Sequence, residues 1–277
     1  MPKCFDLHSH STCSDGYLSP RQLLQRAAER GVTHIALTDH DTVEGLPEAT
    51  AAAAEFGLRL ISGVEISASW RGVPIHVLGL GVDPHAPRLC ELLRGLRMGR
   101  GRRAQAIALA LAAAGAPDAL EGALRYAGRL ESIGRAHFAR HLVESGRAKN
   151  LRAVFRRWLV PGKPGYVPHQ WAALTDVVAA VDAAGGVAVL AHPGRYAIGK
   201  MKQLQLLGDF RDCGGRGIEV VASNHSREQT VLFTDLAQRF NFYASRGSDF
   251  HSPQATYAEL GAGPRLPEHL EPVWQLL

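Results

Sequence analysis

Read from its N-terminus, the chain of 277 residues alternates short β-branched and aliphatic runs with longer stretches rich in alanine and leucine. CFDLH (4–8), THIALTD (33–39), LRLISGVEIS (58–67) and VPIHVLGLG (73–81) predict strands. SPRQLLQRAAERG opens on Ser19 and closes on Gly31, and VEGLPEATAAAAEFG (43–57) also ends in glycine, which are helix start and stop signals. After residue 165 the rhythm returns: helix 173–184, strand VAVLAH, a helix within 199–213, strand GIEVVA, helix 226–240 and strand NFYASRGSD. Repeated strand–helix units predict an α/β fold on a parallel sheet, open or closed into a barrel.

Residues 86–164 break the rhythm, being helical throughout with no convincing strand. The predicted organisation is one α/β unit from 1–85 and 165–277, with 86–164 a helical insertion that contributes to substrate recognition. A hydrophobic content of 46% with 21% charged residues suffices for a real core and excludes a disordered or fibrous chain. The formal charge of +5 is uneven: RGLRMGRGRR (94–103) and RAKNLRAVFRRWLVPGK (147–163) hold much of the excess, a local field suited to phosphates, nucleotides or nucleic acid.

The opening MPKCFDLH has no basic stretch leading into an apolar run, and the most apolar segment, 177–192, is interrupted by Asp182 and a glycine pair. The cytoplasm is therefore the expected location, with no membrane contact and no obligate protein partner implied. Cys4, Cys13, Cys90 and Cys213 form no C-x-x-C pair, which points to reduced structural thiols rather than a zinc ribbon or redox dithiol.

In barrels and open α/β sheets, ligands bind beyond the carboxyl ends of the strands. There this chain places His8 and His10, then Asp39, His40 and Asp41, then Glu65; His76 lies on the fourth strand, His192 ends a later one, and Asp249 and His251 follow the last. Six histidines and several carboxylates from six strands are hard to explain as isolated core residues, because unpaired buried imidazoles and carboxylates are costly. Nitrogen and carboxylate donors without thiolates suit zinc, manganese or iron. About nine candidates exceed the roughly four to six donors of one ion, so two or three cations sharing a carboxylate fit better.

HSH (8–10) with Asp15, TDHD (38–41), Glu65, His76, AHP (191–193) and SDFH (248–251), in this order, resemble the PHP (polymerase and histidinol phosphatase) family of metal-dependent phosphoesterases. The resemblance implies a distorted (β/α)7 barrel, the PHP fold, with a trinuclear site. It implies that His8, His10, Glu65 and Asp249 hold the first metal, that Glu65 bridges to a second held with His76 and His192, and that Asp15, His40 and His251 hold a third. An acidic ligand at Asp15 makes the third position better suited to manganese than to zinc, and three manganese ions are the expected cofactors, with zinc or iron as alternatives. Asp39 and Asp41 are not first choices as ligands; one of them can orient a histidine, and Asp41 with Glu44 also reads as a helix-start signal. Asp6 is expected to be structural or to support a ligand, and Cys13 not to be a nucleophile.

Clustered metals supply a nucleophile at neutral pH and neutralise phosphoryl oxygens, so the expected reaction is phosphoester hydrolysis by a metal-bridging hydroxide without a phosphoenzyme. Asp249, His10 or a metal-bound water is the expected proton donor, and Asp15, His40 and His251 complete the catalytic set. Arg100, Arg102, Arg103, Arg135 and Lys163 are candidates for a second phosphate, since arginine forks suit phosphate. His169, Asn224, Arg195 and the Ser245–Arg246 pair are further pocket candidates, although Asn224 can instead cap the next helix; His34 and His269 read as structural. Within the family, the opening motif and the GKPGYVP segment are similar to the stand-alone nucleotide-directed branch. That implies a phosphatase removing the 3'-phosphate of 3',5'-bisphosphonucleosides such as pAp. A 5'–3' exoribonuclease acting on short single-stranded RNA, a histidinol phosphate phosphatase and a non-catalytic nucleotide sensor are the alternatives.

Overall fold

The computed structural model describes residues 3–255 and 258–277. Its first part comprises β1 (Phe5–Asp6), α1 (Pro20–Glu29), β2 (His34–Leu37), α2 (Leu46–Phe56), β3 (Arg59–Trp70) and β4 (Val73–Leu80). The middle is helical: α3 (Pro87–Ala113), α4 (Ala119–Ala127), α5 (Arg135–Glu144) and α6 (Leu151–Val154), which runs into a π-helical turn at Phe155–Leu159. Then come β5 (Ala172–Ala173), α7 (Leu174–Ala183), β6 (Val187–Leu190), α8 (Lys200–Asp212), β7 (Gly217–Ala222), α9 (Arg227–Phe240) and β8 (Tyr243–Gly247).

Local chemistry sets the helix ends. Ser19 and Gln22 form a reciprocal capping box ahead of α1, with Pro20 in the first turn, and Ser226 with Gln229 does the same for α9. Gly57, in the left-handed region at φ 68°, stops α2. That helix starts at Leu46, later than the expected Val43, and no side chain caps it. Asp41 and Glu44 are therefore not its start signal.

The strands follow the order β1-β2-β3-β4-β6-β7-β8, with the short β5 added to β3. Backbone bonds from Leu7 to Arg246 (3.0 Å) and from Asp249 to His8 (2.9 Å) join β1 to β8. The result is a distorted, nearly closed seven-stranded barrel carrying a helical insertion. One strand departs from the expected parallel sheet: β4 runs antiparallel to both β3 and β6. Its turn from β3 has only two residues, Arg71 and Gly72, both at positive φ (48° and 79°), as in the primed turns that match strand twist. Reversal brings the beginning of β4 to the rim where the other strands end, and so delivers His76, which lies opposite Ser67.

Alternation along the strands separates floor from rim. Ile61 on β3 and Leu78 and Leu80 on β4 join Leu7, Ala36, Val187 and Val189 in an apolar plug. Two and four residues along the same faces come His76 and Glu65. Outside, α7, α8 and α9 pack on the sheet together with Leu89, Leu93 and Leu96 from the first half of α3. The second half of α3 (Ala104, Ile107, Ala108, Leu111) instead joins α4, α5 and the π turn in a separate core. One continuous helix thus ties the insertion to the barrel, and its midpoint, Gly99–Gly101, is buried.

Candidate metal centre

His8, His10, Glu65 and Asp249 are buried and converge on one point. His8 Nε2 lies 3.1 Å from His10 Nε2 and 3.4 Å from both Glu65 Oε2 and Asp249 Oδ1; His10 Nε2 is 3.3 Å from the same two oxygens. Donors bound to one cation at about 2.1 Å sit roughly 3.0 to 3.4 Å apart, in octahedral and tetrahedral arrangements respectively. These spacings therefore match four ligands around a shared ion.

Glu65 is the centre of the wider cluster. Its Oε2 also meets His40 Nδ1 at 2.9 Å, while Oε1 meets His76 Nδ1 at 2.8 Å and His192 Nε2 at 2.9 Å. A second convergent group is His40, Glu65 and His76; a third is His10, Asp15, His40 and His251, with His251 Nε2 3.2 Å from Asp15 Oδ1. The structure thus brings all nine expected ligands together but distributes them differently from the expected partition. His40 stands between Glu65–His76 and Asp15–His251, and His10 faces two groups.

The donor set fits divalent cations on physical grounds. Asp15 Oδ1, His40 Nδ1, Glu65 Oε2 and Asp249 Oδ1 are buried without a hydrogen-bond partner, although leaving such a group unsatisfied costs about 1–3 kcal/mol and more if charged. The close approaches of these four atoms, such as His40 Nδ1 to Glu65 Oε2, are contacts without hydrogen-bond alignment, as expected of atoms aimed at a common ion, whereas His76 Nδ1 and His192 Nε2 hydrogen-bond Glu65 Oε1. Burial alone would depress the His10 imidazole, yet Asp249 and Glu65 outweigh it and push its pKa up to about 10. Burial would likewise raise Glu65 and Asp249, and the surrounding histidines instead hold both well below the carboxylate range. The pocket demands positive charge, and cations entering it displace protons.

Supporting contacts aim the donors. Glu219 on β7, fully buried, accepts from His8 Nδ1 at 3.0 Å and from the His192 backbone N–H at 2.6 Å, leaving the His8 Nε2 lone pair directed at the first group. Sequence reasoning missed this residue; an acid inside the otherwise apolar run GIEVVA was the available signal. Asp39 gathers the loop after β1, accepting from Ser11 N, Ser11 Oγ and Ser14 Oγ at 2.5–2.7 Å. Asp6 accepts from Ser248 N and Gly261 N, both at 2.8 Å. Asp41, at φ 54°, accepts from Ser67 N (2.7 Å) and Arg100 Nε (2.6 Å). It is structural, then, but as a buried ion pair and not a helix cap. His192 (φ 27°) and Asp249 (φ 52°) share its unusual backbone. Such conformations cost about 1–3 kcal/mol each and persist where surroundings enforce them.

The substrate candidates separate. Arg195 Nη1 (2.7 Å) and Asn224 Nδ2 (3.2 Å) both donate to Asp249 Oδ2 at the rim; since Ser226 caps α9, Asn224 is not the cap. Arg100 and Arg103 lie over the Trp171 ring at 5.0 and 5.6 Å, and His169 packs against its edge. Arg100 is taken up by Asp41 and Ser67. Arg135 Nη1 donates to the Leu159 carbonyl and its guanidinium faces Phe155. Arg102 and Lys163 are exposed. Arg246 turns to the carbonyls of Gly261 and Ala262, a structural role in place of the expected pocket contact. Burial, aided by Asp39, raises the Cys13 thiol, as befits a residue that is no nucleophile.

Convergent histidines and carboxylates around a shared glutamate, at the open end of a barrel, suit a metal-dependent phosphoesterase. The PHP domain model matches residues 6–119. The chain is similar to a 3',5'-nucleoside bisphosphate phosphatase of Chromobacterium violaceum, 47% identical over 98% of this chain and 95% of that protein. It is also similar to a 5'-3' exoribonuclease of Haemophilus influenzae, 41% identical over 99% of each. Its fold matches the structure of an amidohydrolase from Chromobacterium violaceum with bound sulfate and no metal, at a TM-score of 0.94 and 47% identity over 98% of this chain and 94% of that one. The chain belongs to the PHP family.

Proposed function

We propose that this protein hydrolyses the 3'-phosphate of 3',5'-bisphosphonucleosides such as pAp, releasing inorganic phosphate and a 5'-nucleotide. The observation that carries this reading is an arginine group beside the metal rim. Burial pushes Arg103 down to about 10, with Arg135 and Arg100 adding to the fall, and Arg135 is depressed by burial and by Arg195 and Arg100. Arg103 and Arg135 donate to backbone carbonyls, and among the described residues neither has a carboxylate partner. Crowded cations of this kind favour a phosphate between them. A substrate with one phosphate at the metals and another on the arginines fits; cationic histidinol phosphate does not. The similarity to a bisphosphate phosphatase supports the same substrate class.

When bound, divalent metals, which we take to be three manganese ions with zinc or iron as alternatives, supply an activated water and neutralise phosphoryl oxygens. His8, His10, Glu65 and Asp249 would hold the first; His40, Glu65 and His76, with His192 on the same carboxylate, the second; Asp15, His40 and His251, with His10, the third. Arg195 and Asn224 fix Asp249 Oδ2 so that Oδ1 faces His8 and His10. With Oδ2 accepting from Arg195 and Asn224 and Oδ1 turned to the metal group, this carboxylate has no proton to give, and with His10 engaged as a ligand, water is left to protonate the leaving alkoxide. Trp171 and His169 offer an aromatic wall beside the arginines. A cytoplasmic setting is part of the proposal, and free Cys4, Cys13, Cys90 and Cys213 agree with it.

Trimming of short 5'-phosphorylated RNA is a second reading. Residues 145–175 contain no acid, and Arg147, Lys149, Arg156 and Arg157 line a cleft of about 620 Å³ where further phosphates can lie. With manganese added, we expect phosphate release from pAp to be much faster than from AMP or histidinol phosphate. Equal rates on all three would refute the two-phosphate reading, and mononucleotides from RNA without free phosphate would favour the second. No helix of the described residues is long and apolar enough to cross a membrane.

A further inference from the structure

The loop carrying Asp15 is held from outside the barrel. On its inner side Asp39 binds Ser11 and Ser14, and Tyr17 N donates to the His251 carbonyl at 2.8 Å. On its outer side the contacts come from α5. His137, buried in the first turn of that helix, places Nε2 3.0 Å from the Ser14 carbonyl, one residue before Asp15, while its Nδ1 accepts from Gly134 N at 2.9 Å. Those two bonds require the tautomer in which Nε2 donates to Ser14. One helical turn on, Arg140 is stacked between two tyrosines, 4.0 Å from the ring centre of Tyr17 and 4.1 Å from that of Tyr126, and its Nε donates to Glu144. His137 and Arg140 are three residues apart, hence on one face of α5.

The loop carrying His40 is held from the same direction. Arg100, in the middle of α3, binds the carboxylate of Asp41 and the hydroxyl of Ser67, and Arg97 Nη1 reaches the Asp41 carbonyl at 3.3 Å. By contrast, the first group takes its support from the barrel itself: Glu219 on β7 aims His8, and Arg195 and Asn224 aim Asp249. The two kinds of support divide the metal centre by depth.

We infer that the helical insertion is a positioning element of the metal centre: His137 and Arg140 on α5 set Asp15, and Arg100 on α3 sets His40, as ligands of the outermost cation. The inference rests on the three-cation reading given above. Removing a contact that orients a metal ligand typically lowers affinity by about 10- to 100-fold. The α5 contacts bear on one class of site, because Asp15 belongs to that group alone, whereas the Arg100 contact also reaches Glu65, whose carbonyl accepts from Asp41 N at 2.9 Å.

The test is a manganese titration of the full-length protein, with bound equivalents read by calorimetry and by elemental analysis after desalting. Wild type should show three equivalents. His137→Ala should weaken only the weakest class by about tenfold or more, with the tighter classes unchanged. His137→Gln should restore it, since an amide both accepts from Gly134 and donates to Ser14. Arg140→Met, which keeps aliphatic bulk between the tyrosines, should weaken the same class and keeps the question decidable if His137→Ala does not fold. Unchanged binding in His137→Ala and Arg140→Met, or equal weakening of every class, would overturn the inference while leaving the three-cation reading intact. A wild type that binds fewer than three equivalents would overturn both.

Discussion

Replacing Glu219 with glutamine removes one acceptor from a position where two donors converge. In the native protein Oε1 accepts from His8 Nδ1 at 3.0 Å and Oε2 from His192 N at 2.6 Å, with the side chain fully buried. Glutamine has one oxygen, so its NH2 must face one of those donors. If it faces the His192 amide, a fixed donor is left buried and unbonded, at about 1–3 kcal/mol. If it faces His8, the imidazole must move its proton to Nε2, where it blocks the lone pair the cation needs. Either outcome disturbs a ligand of the first group, and we expect manganese affinity there to fall by about 10- to 100-fold, equivalent to about 1.4–2.8 kcal/mol. Metal content after desalting and the manganese dependence of phosphate release both read this directly. Glu219→Gln protein that retains wild-type metal and shows activity unchanged at limiting manganese would refute the role given to Glu219.

Arg135→Ala should raise KM for pAp by about tenfold or more, the value of a charge-assisted bond to phosphate, while leaving the rate on a 3'-monophosphate nearly unchanged. Equal losses on both substrates would mean a structural role. Gly16→Ala should destabilise the Asp15 loop, because its Cβ would lie 2.4 Å from the His10 carbonyl oxygen; a fall in melting temperature is expected, with a cost of about 1–3 kcal/mol or more. His137 is held neutral, its pKa lowered chiefly by burial. As pH falls below about 6.5, the unfolded chain takes up a proton there and the native state does not, so this residue's contribution to stability declines toward acid and is constant above. Denaturant midpoints of wild type and His137→Gln measured between pH 5 and pH 8, values around the ordinary imidazole pKa, should therefore diverge only on the acid side.

Most of the convergent positions were legible because they combine a strand end with a residue type that is costly to bury alone. Their grouping was not. Which imidazole faces which oxygen depends on side-chain direction across the rim, and on β4 reversing at Arg71–Gly72, a turn without the usual Asn-Gly or Asp-Gly mark. Glu219 escaped notice because a single acid in a β run reads as an outward polar position until strand parity is known. Asp41 and Glu44 matched a capping pattern, yet Asp41 is bound by Arg100, whose partner lies 59 positions away in sequence. Likewise Arg100, Arg102 and Arg103 are alike as a basic run, and only the phase of α3 separates the two beside Trp171 from the exposed one.

The most direct test is the identity of the products formed from pAp by the manganese-loaded protein. With the 3'-phosphate at the metals and the 5'-phosphate on the arginines, we expect adenosine 5'-monophosphate and one equivalent of inorganic phosphate. Adenosine 3'-monophosphate, or adenosine with two equivalents of phosphate, would contradict that arrangement.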